Sequence, residues 1–332
     1  MKEQEVNKEK HENGLPIINI EGYATATPEK LLSLAKEIGH ACRDKGFFYI
    51  TGHGIDASLI KQLTEEAKSF FNLSDAEKMR LDKKHSTANR GYEPIRNQTL
   101  EAGAPPDFKE GLYIGIEHGD DHPMVKAGRF NYGQNQWPKN AQYFQKAATQ
   151  YIHEMTELAK SLMSLLALSL ELPKDYFSEF NHDPTTLLRM LHYPPQPKNP
   201  LPNEKGCGAH TDFGGLTLLL QDDNGGLQVW DRKNDAWIEA QPIEGSFIVN
   251  LGDMISRWTN DKYNSTLHRV INTSGKARYS MPFFYSGNPD HIVSCLPTCL
   301  EPNSAPKYPP ISVESHMRDM YKKTYSGNNN EK

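Results

Sequence analysis

The chain has 332 residues and 37.6 kDa, with 37% hydrophobic and 24% charged residues, enough apolar material for one large or two small domains. Its net charge of −5 and pI near 6.2 lack the basic excess that nucleic acid or an anionic membrane would demand of a partner. There is no run of about 18 apolar residues for a membrane span, and the charged first residues carry no apolar signal segment. Cys42, Cys207, Cys295 and Cys299 form neither a CxxC pair nor a disulfide framework, so reduced thiols in a cytoplasmic protein are expected. Nothing specifies an oligomeric state.

Residues 1–14 and the final Ser-Gly-Asn-Asn-Asn-Glu-Lys read as polar, disordered tails. Between them, 15–185 reads as a helix-rich N-terminal region. Residues 16–20 (Pro-Ile-Ile-Asn-Ile) form a strand, and Thr27-Pro28 caps and starts a helix that stops near Gly46. Phe47–Thr51 is a second strand, and Leu59–Phe71 a helix. Ser74 with Glu77 makes a capping box for the next one. Tyr151, Met155, Leu158, Leu162 and Leu165, widened by Ile152, Ala159, Met163, Leu166 and Leu170, give a long helix within 138–170 a broad apolar face suited to a sheet.

From 186 to 295 the pattern changes to short β-like runs divided by Gly, Pro, Asn and Asp: Leu187–Tyr193, Leu216–Gln221, Leu227–Trp230, Trp237–Ala240, Phe247–Asn250, Thr266–Asn272 and Arg278–Tyr285. Seven such strands predict a sandwich or barrel. The segment 296–325 ends in a closing helix from Val313 to Tyr325. The whole reads as one globular unit, mainly β with flanking helices and a long helix backing the barrel.

His210-Thr211-Asp212 precedes a strand, and in extended chain residues two apart share a face, so imidazole and carboxylate converge. A third ligand must come from elsewhere, and His268 lies in another β-like run. Two histidines and one carboxylate on one face of a metal leave positions open, as suits non-haem iron(II) and oxygen. The competing reading of the pair is a surface turn capped by the Asp. Arg278 and Ser280 share a face by the same rule and offer guanidinium and hydroxyl to one carboxylate. An internal salt bridge is the alternative for that arginine.

Together these residues, with Gly46-Phe-Phe-Tyr-Ile-Thr-Gly-His-Gly, Asn250-Leu-Gly-Asp and Ser265-Thr-Leu-His-Arg-Val, closely resemble the iron(II)- and 2-oxoglutarate-dependent oxygenases related to isopenicillin N synthase. Leu188-Arg-Met-Leu-His-Tyr-Pro-Pro, Gly208-Ala-His-Thr-Asp-Phe-Gly-Gly and Asn89-Arg-Gly-Tyr look most like the microbial subgroup that includes thymine 7-hydroxylase. The resemblance implies a double-stranded β-helix (jelly-roll) core with iron in its mouth, 2-oxoglutarate as cosubstrate, O2 and a small-molecule substrate. It implies iron on His210, Asp212 and His268, and the far carboxylate of 2-oxoglutarate on Arg278 and Ser280, with a phenol hydrogen bond from Tyr193. Arg189 and Phe284 match substrate-facing positions. Thr186 and Phe213 stand where the thymine enzymes carry Asn and Tyr, which removes two polar contacts from the pocket.

The expected activity is oxidation, by default hydroxylation, of a small organic molecule with release of succinate and CO2. The rivals are an iron oxidase of the same fold that uses no 2-oxoglutarate and a catalytically silent binding protein. Gly206-Cys-Gly-Ala-His-Thr lacks the third glycine of a dinucleotide loop, and no GxSxG or phosphate-binding loop is present. His118-Gly-Asp-Asp-His122 reads as a solvated turn, His53 as a turn residue, and His192 as packed on the outer face of its strand.

Overall fold

A computed structural model describes residues 14–326; the tails expected at either end lie outside these residues, apart from Gly14 and Ser326 at their inner limits. The chain runs β1 (Ile17–Asn19), α1 (Pro28–Asp44), β2 (Phe47–Thr51), α2 (Ala57–Phe71), α3 (Asp75–Met79), β3 (Gly91–Glu93), β4 (Glu110–Gly115), α4 (Pro123–Lys126) and α5 (Gln142–Ser169). There follow β5 (Thr185–Tyr193), β6 (Cys207–His210), β7 (Leu216–Gln221), β8 (Leu227–Asp231), β9 (Ala236–Glu239), β10 (Phe247–Leu251) and α6 (Asp253–Trp258). β11 (His268–Val270), β12 (Arg278–Gly287), β13 (Ile292–Val293), β14 (Ile311–Ser312) and α7 (Val313–Ser326) complete it.

The helices start where their caps place them. The Thr27 side chain accepts from the Lys30 N–H with Pro28 in the first turn, and Ser74 and Glu77 form the reciprocal capping box. Among the described residues, strands make an eight-stranded sheet in the order β1-β2-β10-β7-β12-β5-β4-β3 and a four-stranded sheet in the order β6-β11-β8-β9. The two sheets face each other as the halves of a jelly roll, and α5 packs along the large sheet with α1 and α2 beside it.

Strand alternation sorts the side chains of the large sheet. On β12, Tyr279, Met281, Phe283 and Tyr285 point to the helices, while Arg278, Ser280, Pro282 and Phe284 face the space between the sheets. On β5, Leu188 and Met190 go to the helix side; Arg189, Leu191 and Tyr193 go inward. The helix-side core is continuous and apolar. The inner face instead turns polar around one cluster, which is where the site lies.

The structure departs from the sequence reading in three places. The N-terminal region adds two strands that the sequence did not show, β3 and β4, which with β1 and β2 join the large sheet, β4 pairing with β5 from Glu110↔His192 to Gly115↔Leu187. The strand expected over Thr266–Asn272 shrinks to His268–Val270. His210 ends a strand of its own, β6, rather than merely preceding one.

Candidate active site

His210 and His268 are partners across the antiparallel β6–β11 pair, and Asp212 follows in the loop after β6. Asp212 Oδ1 lies 3.8 Å from His210 Nε2 and 3.7 Å from His268 Nε2. Among the described residues this is the one group of three or more His, Cys, Asp or Glu side chains able to share a metal ion, their ligand atoms all within 4.8 Å of each other. His118 and His122 do not join such a group; their rings pack at 4.4 Å and His122 Nδ1 accepts from the Met124 N–H. His192 pairs with Glu110 and stacks on Tyr279, as a packed residue.

Each of these three side chains is oriented from behind. His210 Nδ1 lies 2.8 Å from the Gly208 carbonyl and His268 Nδ1 lies 3.1 Å from that of Thr266, so both rings donate backward and keep Nε2 for the centre. Asp212 Oδ2 accepts from Thr217 Oγ1 at 2.6 Å and Asn250 Nδ2 at 2.7 Å, which leaves Oδ1 pointing at the histidines. Asp253 holds the same loop: its N–H donates to the Asp212 carbonyl, and its carboxylate accepts from Thr211 and Ser265. Asn250 and Asp253 belong to the Asn250-Leu-Gly-Asp motif, but their contacts, like that of Thr217, could not be assigned from sequence.

Burial alone would raise the Asp212 carboxyl, but the facing His268 and His210 and the hydrogen bonds from Asn250 and Thr217 outweigh it and hold it below the usual range. Burial, reinforced by neighbouring His210, lowers His268 to about 4, and burial also lowers His210. The result is one carboxylate beside two neutral imidazoles. That donor set suits a divalent non-haem iron.

Two cavities meet at the triad. The inner one runs from His210, Asp212 and His268 to Tyr193, Arg278 and Ser280. Arg278 is fully buried; its Nε donates to the Gly225 carbonyl, one Nη contacts Gln221, and the other Nη has no partner among the described residues. Its guanidinium lies 4.9 Å from the centre of the Tyr193 ring. A buried guanidinium with no carboxylate partner is costly unless an anion arrives. The internal salt bridge that sequence allowed for it is absent among the described residues, where its partners are the Gly225 carbonyl and Gln221. The residues therefore fit a dicarboxylate with one end on the metal.

The outer cavity is bounded by Leu187, Phe213, Phe284, Met317 and Tyr321, with Gln98, Asn131, Thr186 and Arg189 among its polar walls. Arg189 faces inward as expected, but it already has an acceptor. It donates to Glu93 Oε2 at 3.0 Å and Gln98 Oε1 at 2.7 Å, so an incoming ligand is not required to satisfy it.

Comparison with known proteins places these features. Residues 15–140 match the N-terminal domain model described as non-haem dioxygenase in morphine synthesis, and 184–287 match the 2OG-Fe(II) oxygenase superfamily. A 2-oxoglutarate-Fe(II) type oxidoreductase of Emericella nidulans, hxnY, is 46% identical over 93% of this chain and 90% of its own. The 2-oxoglutarate-dependent dioxygenase citB of Monascus ruber is 36% identical over 94% of this chain and 96% of its own. The chain belongs to the 2OG-Fe(II) oxygenase superfamily. Thymine 7-hydroxylase of Neurospora crassa, solved with alpha-KG and thymine, superposes with a TM-score of 0.82 at 28% identity, covering 95% of this chain and 98% of its own. The chain is thus an oxidoreductase that uses iron(II), 2-oxoglutarate and O2, and its structure fits the thymine 7-hydroxylase-like subgroup. No helix of the described residues is long and apolar enough to cross a membrane.

Proposed function

We propose that His210, Asp212 and His268 hold the iron, that Arg278, Ser280 and Tyr193 hold the distal carboxylate of 2-oxoglutarate, and that a small, flat, partly apolar molecule occupies the outer cavity and is hydroxylated there. The observation that carries this reading is the unpartnered Nη of fully buried Arg278, in a cavity that opens onto the three ligands. When bound, iron(II) would let O2 act as the oxidant, with two electrons coming from 2-oxoglutarate as it becomes succinate and CO2 and two from the substrate as it is oxidised.

The protein's own part is placement. Arg278 fixes the cosubstrate by charge-assisted hydrogen bonds, with the Tyr193 ring beneath the guanidinium. Phe284 lines both cavities and forms the wall between them, so it sets how a substrate faces the metal. Phe213 and Phe284 give flat apolar surfaces. Arg189, held by Glu93 and Gln98, is a fixed cation in the cavity wall. Phe213 has no hydroxyl to offer, so at that position the pocket presents an apolar ring, while the buried Thr186 hydroxyl has no partner among the described residues.

The test is an anaerobic thermal-shift screen of the iron- and 2-oxoglutarate-loaded protein against nucleobases, amino acids and small aromatic acids, followed by aerobic assay of succinate. Substrate-stimulated succinate release supports the reading. Oxidation of a substrate without succinate would favour the iron oxidase that uses no 2-oxoglutarate.

A further inference from the structure

β6 is an edge strand of the small sheet, yet it carries His210. Its pairing with β11 is irregular: His210 opposes His268 and Cys207 opposes Val270, so Gly208 and Ala209 together face the single residue Arg269. One extra residue in one strand is a β-bulge, a device that re-aims a side chain and leaves ladder groups unpaired. The N–H groups of these two residues are taken up by carboxylates. Gly208 N–H donates to Asp107 Oδ1 at 2.8 Å, and Ala209 N–H donates to Glu101 Oε2 at 2.9 Å. Both acids come from the β3–β4 connection, which is closed on itself by the Arg96 N–H to the Asp107 carbonyl and the Asp107 N–H to the Gln98 carbonyl.

The Gly208 peptide is gripped at both ends. Asp107 takes its N–H, and its carbonyl accepts from His210 Nδ1. A Cβ at Gly208 would stand 2.7 Å from that of Glu101, so strand and loop are in close contact. Asp107 is itself paired with buried Lys109, and Glu101 with Lys205 at 3.1 Å. The same loop brings Gln98 and Leu100 to the wall of the outer cavity.

Resting on the triad reading, we propose that Glu101 and Asp107 are positioning residues for the metal: they replace the missing neighbour strand, hold the bulge at Gly208–Ala209, and so aim His210 Nε2 at the centre. Neither touches the metal or a reactant. Their effect passes through the β6 backbone and the Gly208 carbonyl. His268 needs no such support, since its strand is paired on both sides.

The full-length protein is titrated anaerobically with Co(II) alone, whose visible spectrum reports ligand geometry as well as occupancy. Glu101→Ala and Asp107→Ala are expected to weaken binding about 10–100-fold, the usual cost of losing an outer-shell partner, and to shift the Co(II) spectrum. Glu101→Gln should restore both, because an amide oxygen still accepts from the Ala209 N–H. Asp107→Ala strands Lys109 and risks the fold, so Glu101, whose side chain is 33% exposed, decides the matter. Unchanged affinity and spectrum in Glu101→Ala would overturn the proposal, and so would a Glu101→Gln variant as defective as Glu101→Ala. His268→Ala is the control: if it binds Co(II) as wild type does, the triad reading itself falls; if it does not, the fate of the Glu101 variants judges this inference alone.

Discussion

His210 and His268 stand opposite each other across β6 and β11, with ring centroids 4.3 Å apart and both Nε2 atoms turned toward the same Asp212 oxygen. Two imidazoles at that distance cannot both be charged without mutual repulsion, and burial keeps His268 neutral down to about 4. The pair is therefore ready to donate two lone pairs, and the groups that hold Asp212 become testable.

Asn250→Ala and Thr217→Val each free Asp212 Oδ2 to rotate. Each should weaken iron binding about 10–100-fold with little loss of secondary structure. Anaerobic metal titration with circular dichroism checks this, and unaltered affinity in both would show that Asp212 is oriented by other contacts.

Arg278→Ala should raise the 2-oxoglutarate requirement steeply, since a charge-assisted contact contributes about 1.5–3 kcal/mol. Arg278→Lys should recover part of it, because lysine keeps the charge but lacks the planar fork. Succinate formation against 2-oxoglutarate concentration measures both; normal cosubstrate dependence in the two variants would mean that Arg278 serves another anion.

Glu93 is buried among Arg189, Lys83 and Tyr113. Burial alone would raise its carboxyl, but the charges of Arg189 and Lys83 and the hydrogen bonds from Lys83 and Tyr113 prevail and lower it to about 2. A carboxyl depressed on folding adds stability that is fully present above its unfolded value of about 4.3. That stability is lost as the pH falls through about 2. Urea unfolding should therefore show a loss on acidification across this window that is absent in Glu93→Gln. The variant should also cost about 3–5 kcal/mol at neutral pH, as for one partner removed from a buried pair. An identical acid profile in the variant would remove Glu93 from the account.

Gly115 makes room for Arg90, which is buried and donates to the Asn131 carbonyl. A Cβ there would meet the Arg90 guanidinium at 2.0 Å. Gly115→Ala should destabilise the fold by about 1–3 kcal/mol through overpacking. Adding Arg90→Ala should relieve part of that loss, giving a non-additive cycle by chemical denaturation. Strict additivity would locate the strain elsewhere.

What the sequence by itself determined was whatever depends on spacing along the chain. The Thr27 and Ser74 caps, the long apolar face of α5, and the shared face of Arg278 and Ser280 follow from periods of 3.6 and 2 that act over a few residues. His210 and Asp212 were legible for the same reason, and the motif as a whole named the family. Only the tertiary structure decided what stands behind those residues. β3 and β4 were invisible because short strands are defined by distant partners, as Glu110 is by His192. Arg189 was correctly turned inward, but its acceptors Glu93 and Gln98 lie on a separate segment, so no local pattern could show its charge already engaged. The bulge that aims His210 was equally hidden: it exists only in the register between β6 and β11, and its carboxylates arrive from a loop that chain folding alone brings to that edge.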